Sequence, residues 1–189
     1  MKRKTFLSVF IWITFALSIS SAEAIDSCDK LLPAALQKYV GRKNPGYRLP
    51  RQSDYSPIDV DYNLKHGGNE CIGISKGSYF RKNVENYAFT ITSKSVDHTI
   101  LIVANNVDGI WKTVLLRDWG NSPIGGIYVE TLAPGSFERT EALDGPISEP
   151  GEVMKLNTTT DGIISGGIES SGVVYAFDGT QWLHVWVSD

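Results

Sequence analysis

The chain has 189 residues, 42% hydrophobic and 21% charged, with a net charge of −3 at neutral pH. That length suits one ordinary domain and is too short for two large ones. The acidic balance argues against nucleic acid, whose phosphates call for a basic face.

In chain order, Lys2, Arg3 and Lys4 make a basic start, Phe6 to Ile19 is almost wholly apolar, and Ala22-Glu23-Ala24 has the small-x-small form of a cleavage site. This is the order of parts of an export signal over residues 1–24. A membrane anchor is the alternative, but a spanning helix needs about 20 apolar residues, and this run is shorter. No second apolar run follows, so no membrane insertion is expected after cleavage, and the expected location is periplasmic or secreted. Asp26, two residues before Cys28, fits a lipidation box poorly. Without residues 1–24 the net charge is −5, unevenly spread: residues 25–82 balance to +4 and residues 83–189 to −9. Such polarity can orient a charged partner, and a solvated acidic edge produces it equally well.

Cys28 and Cys71 are the two cysteines. In an oxidising compartment they pair most simply with each other. The closed loop of about 40 residues would contribute about 4 kcal/mol through chain entropy. A reactive thiol is the competing reading, but neither cysteine has a C-x-x-C partner or a neighbouring His.

Leu31, Leu32, Ala35, Leu36, Tyr39 and Val40 recur at helical spacing and predict a helix over 31–40, with Pro33 in the first turn and Gly41 as the stop. Residues 42–70 read as irregular, broken by Asn44-Pro45-Gly46, Pro50, Pro57 and Gly67-Gly68, with Tyr47, Tyr55 and Tyr62 available to pin them. From Cys71 onward the pattern is β. Tyr87–Thr92 alternates, Thr99–Ala104 is a continuous apolar run, and Trp111–Leu116 follows a turn containing Asp108-Gly109. Gly126–Leu132 gives another strand, and residues 133–151 read as a long acidic loop. Val153–Leu156, Ile163-Ile164 and Val173–Phe177 are short strands, and Asp178-Gly179 turns into Trp182–Val187. Both Asp-Gly turns precede a Trp, which is either a weak internal duplication or the ordinary chemistry of turns and strands. The expected fold is mainly β: a single antiparallel, sandwich-like domain over residues 25–189 with one short N-terminal helix.

Four blocks stand out: Tyr47-Arg48-Leu49-Pro50, His66-Gly67-Gly68-Asn69-x-Cys71, Leu116-Arg117-Asp118-Trp119-Gly120, and Trp182-x-His184-Val185-Trp186-Val187-Ser188-Asp189. As a set they resemble blocks of uncharacterised bacterial exported proteins, a resemblance that covers most of residues 25–189 and brings no established activity. Members of that family carry a run like the calcium loop of FG-GAP proteins, of the form Gly-Asp-Phe-Asp-Gly-Asp-Gly-x-x-Asp-Tyr. The matching positions here are Gly77 to Tyr87, with Ser78, Phe80, Lys82 and Asn86 where the acidic residues would stand. Calcium needs six to eight oxygens with carboxylates among them. Phe80 supplies none and Lys82 adds a positive charge, so no calcium, and no other metal or cofactor, is expected.

Gly73-Ile74-Ser75-Lys76-Gly77 matches the G-x-S-x-G elbow, His66-Gly67-Gly68 resembles an oxyanion segment, and Asp118 and His184 follow in hydrolase order. The elbow requires a sharp turn into a helix, whereas a loop and a strand are expected after Ser75, so no catalytic residue is assigned. His66, His98 and His184 lack zinc-ligand spacing, and His184, between Leu183 and Val185, reads as an outer-face residue. Glu138, Glu141 and Asp144 are candidate paired carboxylates, or simply a solvated loop. The function expected is a periplasmic or secreted non-enzymatic binding protein, with an inhibitor or immunity type as its specific form. Its protein partner would be a basic cell-wall-active enzyme or toxin, met by Glu138, Glu141, Asp144, Glu149 and Glu152. An envelope hydrolase using Ser75 or the acidic loop, and a structural envelope component, are the alternatives.

Overall fold

The computed structural model describes residues 26–143, 145–168 and 170–188. The signal segment 1–24 and the candidate contact Asp144 lie outside the described residues. Cys28 and Cys71 are joined by a disulfide, both sulfurs buried among Leu32, Leu36 and Val40. The bond fixes the start of the domain to the residue that precedes the first long stretch of sheet.

A 3-10 turn at Cys28–Lys30 leads into helix α1, Ala34–Lys43. Pro33 is its N-cap and accepts from the N–H groups of Leu36 and Gln37. The helix runs through Gly41, which the sequence marks as the stop. Pro45 sets the actual end, because a residue preceding proline is disfavoured in the helical region, and Asn44 leaves it at φ −128° and ψ 66°. A second helix, α2, spans Pro57–Lys65, inside the stretch read as irregular. Ser56 caps it by accepting from the Asp59 N–H, and Pro57 suits the first turn. Tyr55 is buried, whereas Tyr62 on α2 is exposed and stacks on His66.

The β structure is antiparallel throughout its strand pairs. Strand β3 (Asn86–Ser93) is central to the first sheet. On one side it pairs with β1 (Tyr47–Arg48) and β2 (Ile74–Gly77), placed end to end; on the other it pairs with β4 (Thr99–Val107), which pairs with β5 (Ile110–Asp118). The second sheet has the order β6 (Ile127–Leu132), β9 (Gly162–Gly167), β10 (Gly172–Phe177), β11 (Trp182–Ser188). Strands β7 (Ser136–Glu138) and β8 (Lys155–Asn157) form a small ribbon. The first of these lies in the 133–151 stretch expected to be loop throughout.

Side-chain alternation sorts these elements into layers. Tyr87, Phe89 and Ile91 pack with Ile74, Ile102 and Ala104 under the helices, while Ala88, Leu101 and Val103 meet Val129, Ile163, Val173 and Tyr175 between the sheets. Val174, Ala176 and Val185 turn the other way and lie under Phe137 and Leu156 of the β7–β8 ribbon. Both faces of β3, β4 and β10 are therefore covered, which is why Ile100–Ala104 of β4 and Val173–Phe177 of β10 are apolar without a break, whereas β3 alternates yet buries Thr90 and Thr92 as well. The result is the expected sandwich-like domain, with two α-helices among the described residues instead of one.

The two sheets are stitched along one side only. Val129 N on β6 donates to Ile72 O at 2.8 Å, and Thr131 Oγ1 donates to Lys76 O at 3.0 Å. On the opposite side the end strands β5 and β11 form no ladder among the described residues. The free edge of β11 is covered by Thr140 and by residues 151–153: Thr140 N donates to Trp186 O, His184 N donates to Gly151 O, and Val153 N donates to His184 O. The seam between β5 and β11 is held by side chains.

Candidate functional site

That seam contains a cleft of about 300 Å³ lined by Leu115, Leu116, Arg117, Glu149, Pro150, Tyr175, Trp182 and His184. Strand β5 reaches it through a bulge. Leu101 faces Arg117 and Ile102 faces Leu115, so Leu116 is an extra residue on β5 and the alternation changes phase there. Beyond the bulge the Arg117 guanidinium lies 5.3 Å from the ring centre of Trp119 and 5.0 Å from that of Trp186. It also pairs with Glu149. A cation held over aromatic faces and bonded to a carboxylate is fixed in position.

Strands β10 and β11 supply the rest. Tyr175 sits directly opposite His184, with ring centres 5.7 Å apart. Tyr175 Oη, Trp182 Nε1 and His184 Nε2 are buried and have no hydrogen-bond partner among the described residues, and Trp119 Nε1, two residues beyond Arg117 in the chain, is in the same condition. His184 Nε2 is 3.3 Å from Glu149 Oε2 but lacks hydrogen-bond alignment. Buried polar groups are nearly always paired, because leaving one unmade costs about 1–3 kcal/mol. Three such atoms around one cleft are an unusual concentration. Burial lowers the His184 pKa, partly offset by Glu149, and burial raises that of Tyr175. Both are neutral near pH 7, so Arg117 and Glu149 leave the cleft charge-balanced.

His184 is thus not on an outer face: it is only 8% exposed. Trp182 and Trp186 point into the space between the sheets, and Leu183, Val185 and Val187 point under the ribbon, so both faces of β11 are enclosed. Asp118 does not meet His184. Its carboxylate accepts from His98 Nε2 and from the Gly120 N–H, each at 2.8 Å, and from no cleft residue among the described residues. Ser75 lies within β2, with its hydroxyl bonded to the buried Tyr79 hydroxyl at 2.8 Å, which in turn bonds to Thr131 Oγ1 at 2.6 Å. A strand, not a helix, surrounds it. His66, Gly67, Gly68 and Ser75 do share a second cleft of about 520 Å³, yet His66 Nδ1 bonds to Tyr62 O.

The acidic residues expected to face a partner are mostly engaged within the protein. Glu138 pairs with Lys155, Glu149 with Arg117, and Glu152 with Arg139. Glu152 corrects the expectation outright: it is buried and accepts from the N–H groups of Ser148 and Glu149. Burial raises its carboxyl, but those N–H groups and Arg139 more than offset this and hold its pKa below the usual value. Its work is to fold residues 139–152. Glu141 is exposed.

The segment resembling a calcium loop is tied together by protein groups. Ser78 N donates to Asp161, Phe80 N donates to Asn86 Oδ1, and Asn86 Nδ2 donates to Asn105. The Phe80 ring packs on Phe177 and Trp182, each at 5.2 Å. Among the described residues no three His, Cys, Asp or Glu side chains gather closely enough to hold a metal ion.

The sequence reading missed Arg117, Tyr175 and Trp182 as site residues. The available signal was that two of the distinctive blocks, Leu116–Gly120 and Trp182–Ser188, each combine Trp with a charged or titratable residue; the fold brings them together. Compared with models of known families, with curated proteins and with solved structures, the chain matches none.

Proposed function

We propose that this is an exported binding protein, without chemistry of its own, that takes its ligand in the seam between β5 and β11. The observation that carries the reading is a cleft in which a fixed Arg117–Glu149 pair stands among Leu115, Leu116, Pro150, Tyr175 and Trp182. Binding sites are concave, largely apolar and fitted with a few well-placed polar groups, and this cleft answers that description. The export signal read over residues 1–24 supports a periplasmic or secreted location, and the Cys28–Cys71 bond fits an oxidising compartment.

The test is ligand retention. The protein from residue 25 onward is incubated with an extract of bacterial envelopes, desalted and weighed intact by native mass spectrometry. The expected result is an added mass that is lost in the Pro150→Arg variant, which sets a long side chain at the exposed rim of the cleft, at nearly unchanged melting temperature. No added mass, or the same mass on the variant, would refute the seam as a binding site.

A second reading, an inhibitor or immunity-type protein acting on a cell-wall-active enzyme or toxin, is favoured by the open edge of β5. Ile110 is 64% exposed, Val114 39% and Leu115 57%. A long exposed apolar edge strand is a template for another chain. On this reading Val114→Lys, and not the seam variant, abolishes inhibition.

A further inference from the structure

We infer that residues 148–153 are a proton-operated flap on the seam, released from β11 when His184 is protonated. Release needs no ligand and so stands apart from the reading of the seam as a binding site. His184 holds the flap with its backbone and its ring together. Its N–H donates to Gly151 O and its C=O accepts from the Val153 N–H, each at 2.9 Å, and among the described residues the flap has no other backbone bond to β11. Gly151 has φ +82°, and a Cβ there would lie 3.0 Å from Trp182 O and 3.7 Å from His184 Nδ1. A glycine thus lets the flap backbone settle onto the imidazole. The flap moves as one piece, because the Glu152 carboxylate accepts from the N–H groups of Ser148 and Glu149.

A proton on His184 disturbs this arrangement. The groups that face its ring are Glu149 and Glu152 from the flap, Arg117 from β5 and Tyr175 from β10. Glu149 Oε2 stands 3.3 Å from His184 Nε2, but the same oxygen is already paired with Arg117. An imidazolium here makes a second cation on one carboxylate oxygen, with Nε2 buried away from water. A buried charge without its own partner is costly, and lifting the flap lets water reach it at the cost of two backbone hydrogen bonds. The depressed pKa of His184 agrees in sign: the closed state takes the proton less readily than an open one, so acid favours opening. Glu152 stays charged between pH 7 and pH 5, because its pKa is held below the usual carboxylate value. Histidine is the side chain suited to a switch in that range.

The experiment is amide hydrogen exchange of the folded protein from residue 25 onward, read by two-dimensional NMR at pH 7 and pH 5. Each amide is corrected for its intrinsic exchange rate at that pH. The Val153 and His184 amides report the flap, and the Val103 amide, at the centre of β4, reports the fold as a whole. Relative to Val103, protection of the flap amides should fall at least about fivefold from pH 7 to pH 5. In His184→Gln the Val153 amide should keep its protection within about twofold over the same range. Glu149→Gln removes the attraction that favours the imidazolium in the closed state, so its fall should be steeper than that of the wild type. A role of Glu149 in holding the flap shut, with no proton involved, would lower protection equally at both pH values. Equal protection at pH 7 and pH 5 in the wild type, or the same fall in His184→Gln, would overturn the switch. A shallower fall in Glu149→Gln would overturn it too, by moving the titration from His184 to Glu149.

Discussion

Tyr175 and His184 face each other across β10 and β11, and each has a buried polar atom without a hydrogen-bond partner among the described residues. The Tyr175 hydroxyl adds no hydrogen bond to the fold. Replacing Tyr175 by Phe removes an unmet group while keeping the ring, so stability should hold or rise, by up to about 1 kcal/mol. Tyr79 is the contrast. Its hydroxyl joins Ser75 to Thr131, and Tyr79→Phe leaves both without that partner, costing about 1–2 kcal/mol. Urea unfolding of the two variants checks the pair. Equal losses in both would mean that the Tyr175 hydroxyl has a partner in the protein.

His184 should make stability depend on pH. Its folded pKa is depressed below the ordinary 6.5 by burial, so the unfolded chain takes up this proton more readily than the folded one. Stability from this group is therefore complete above pH 6.5 and falls as pH drops below it, toward the folded pKa. The His184→Gln variant should show a flatter melting temperature between pH 7.5 and pH 5 than the wild type. Identical slopes would contradict the neutral, buried state assigned here.

The Cys28–Cys71 bond closes a span of 43 residues. Its loss should cost about 4 kcal/mol on the chain-entropy argument, or roughly 8–16 °C in melting temperature for a domain of this size. Calorimetry of the Cys28→Ser, Cys71→Ser double variant measures it. A shift under about 2 °C would show that the N-terminal turn and α1 are held by packing alone.

Glu152 and Glu141 should behave as opposites. Glu152→Ala removes the acceptor for two backbone N–H groups and the partner of Arg139, and should cost about 2–3 kcal/mol. Glu141→Lys, at an exposed position, should stay within about 0.5 kcal/mol. Unfolding by denaturant reads both, and a tolerant Glu152→Ala would mean that residues 139–152 fold without it.

The strands were legible because burial imposes its pattern on sequence. The alternation in β3, the apolar runs of β4 and β10, and the Asp108-Gly109 turn with φ values of 53° and 81°, leave little choice of structure. Helix α2 was hidden because Ile58, Tyr62 and Leu64 on it face solvent, so it has no apolar stripe; Ser56-Pro57 with Asp59 was its only mark. Strand β7 was hidden among acidic residues, with Phe137 alone packed inward. The site was harder still. Arg117 and His184 come from different sheets, and only the extra residue at Leu116 brings the end of β5 round to the seam. Nothing local in the sequence announces that bulge. Glu149 and Glu152 read as surface charge because their partners, Arg117 and Arg139, lie 32 and 13 residues away.

The central claim is that ligand sits in the seam, and titration calorimetry of a Pro150→Arg variant tests it most directly. Pro150 lines the cleft and is exposed, so the substitution sets a long side chain at the rim of the site and leaves the packing between the sheets alone. With the compound retained by the wild-type protein as titrant, affinity should fall at least about tenfold, at nearly unchanged melting temperature. Undiminished affinity in the folded variant would place the ligand elsewhere and contradict the account.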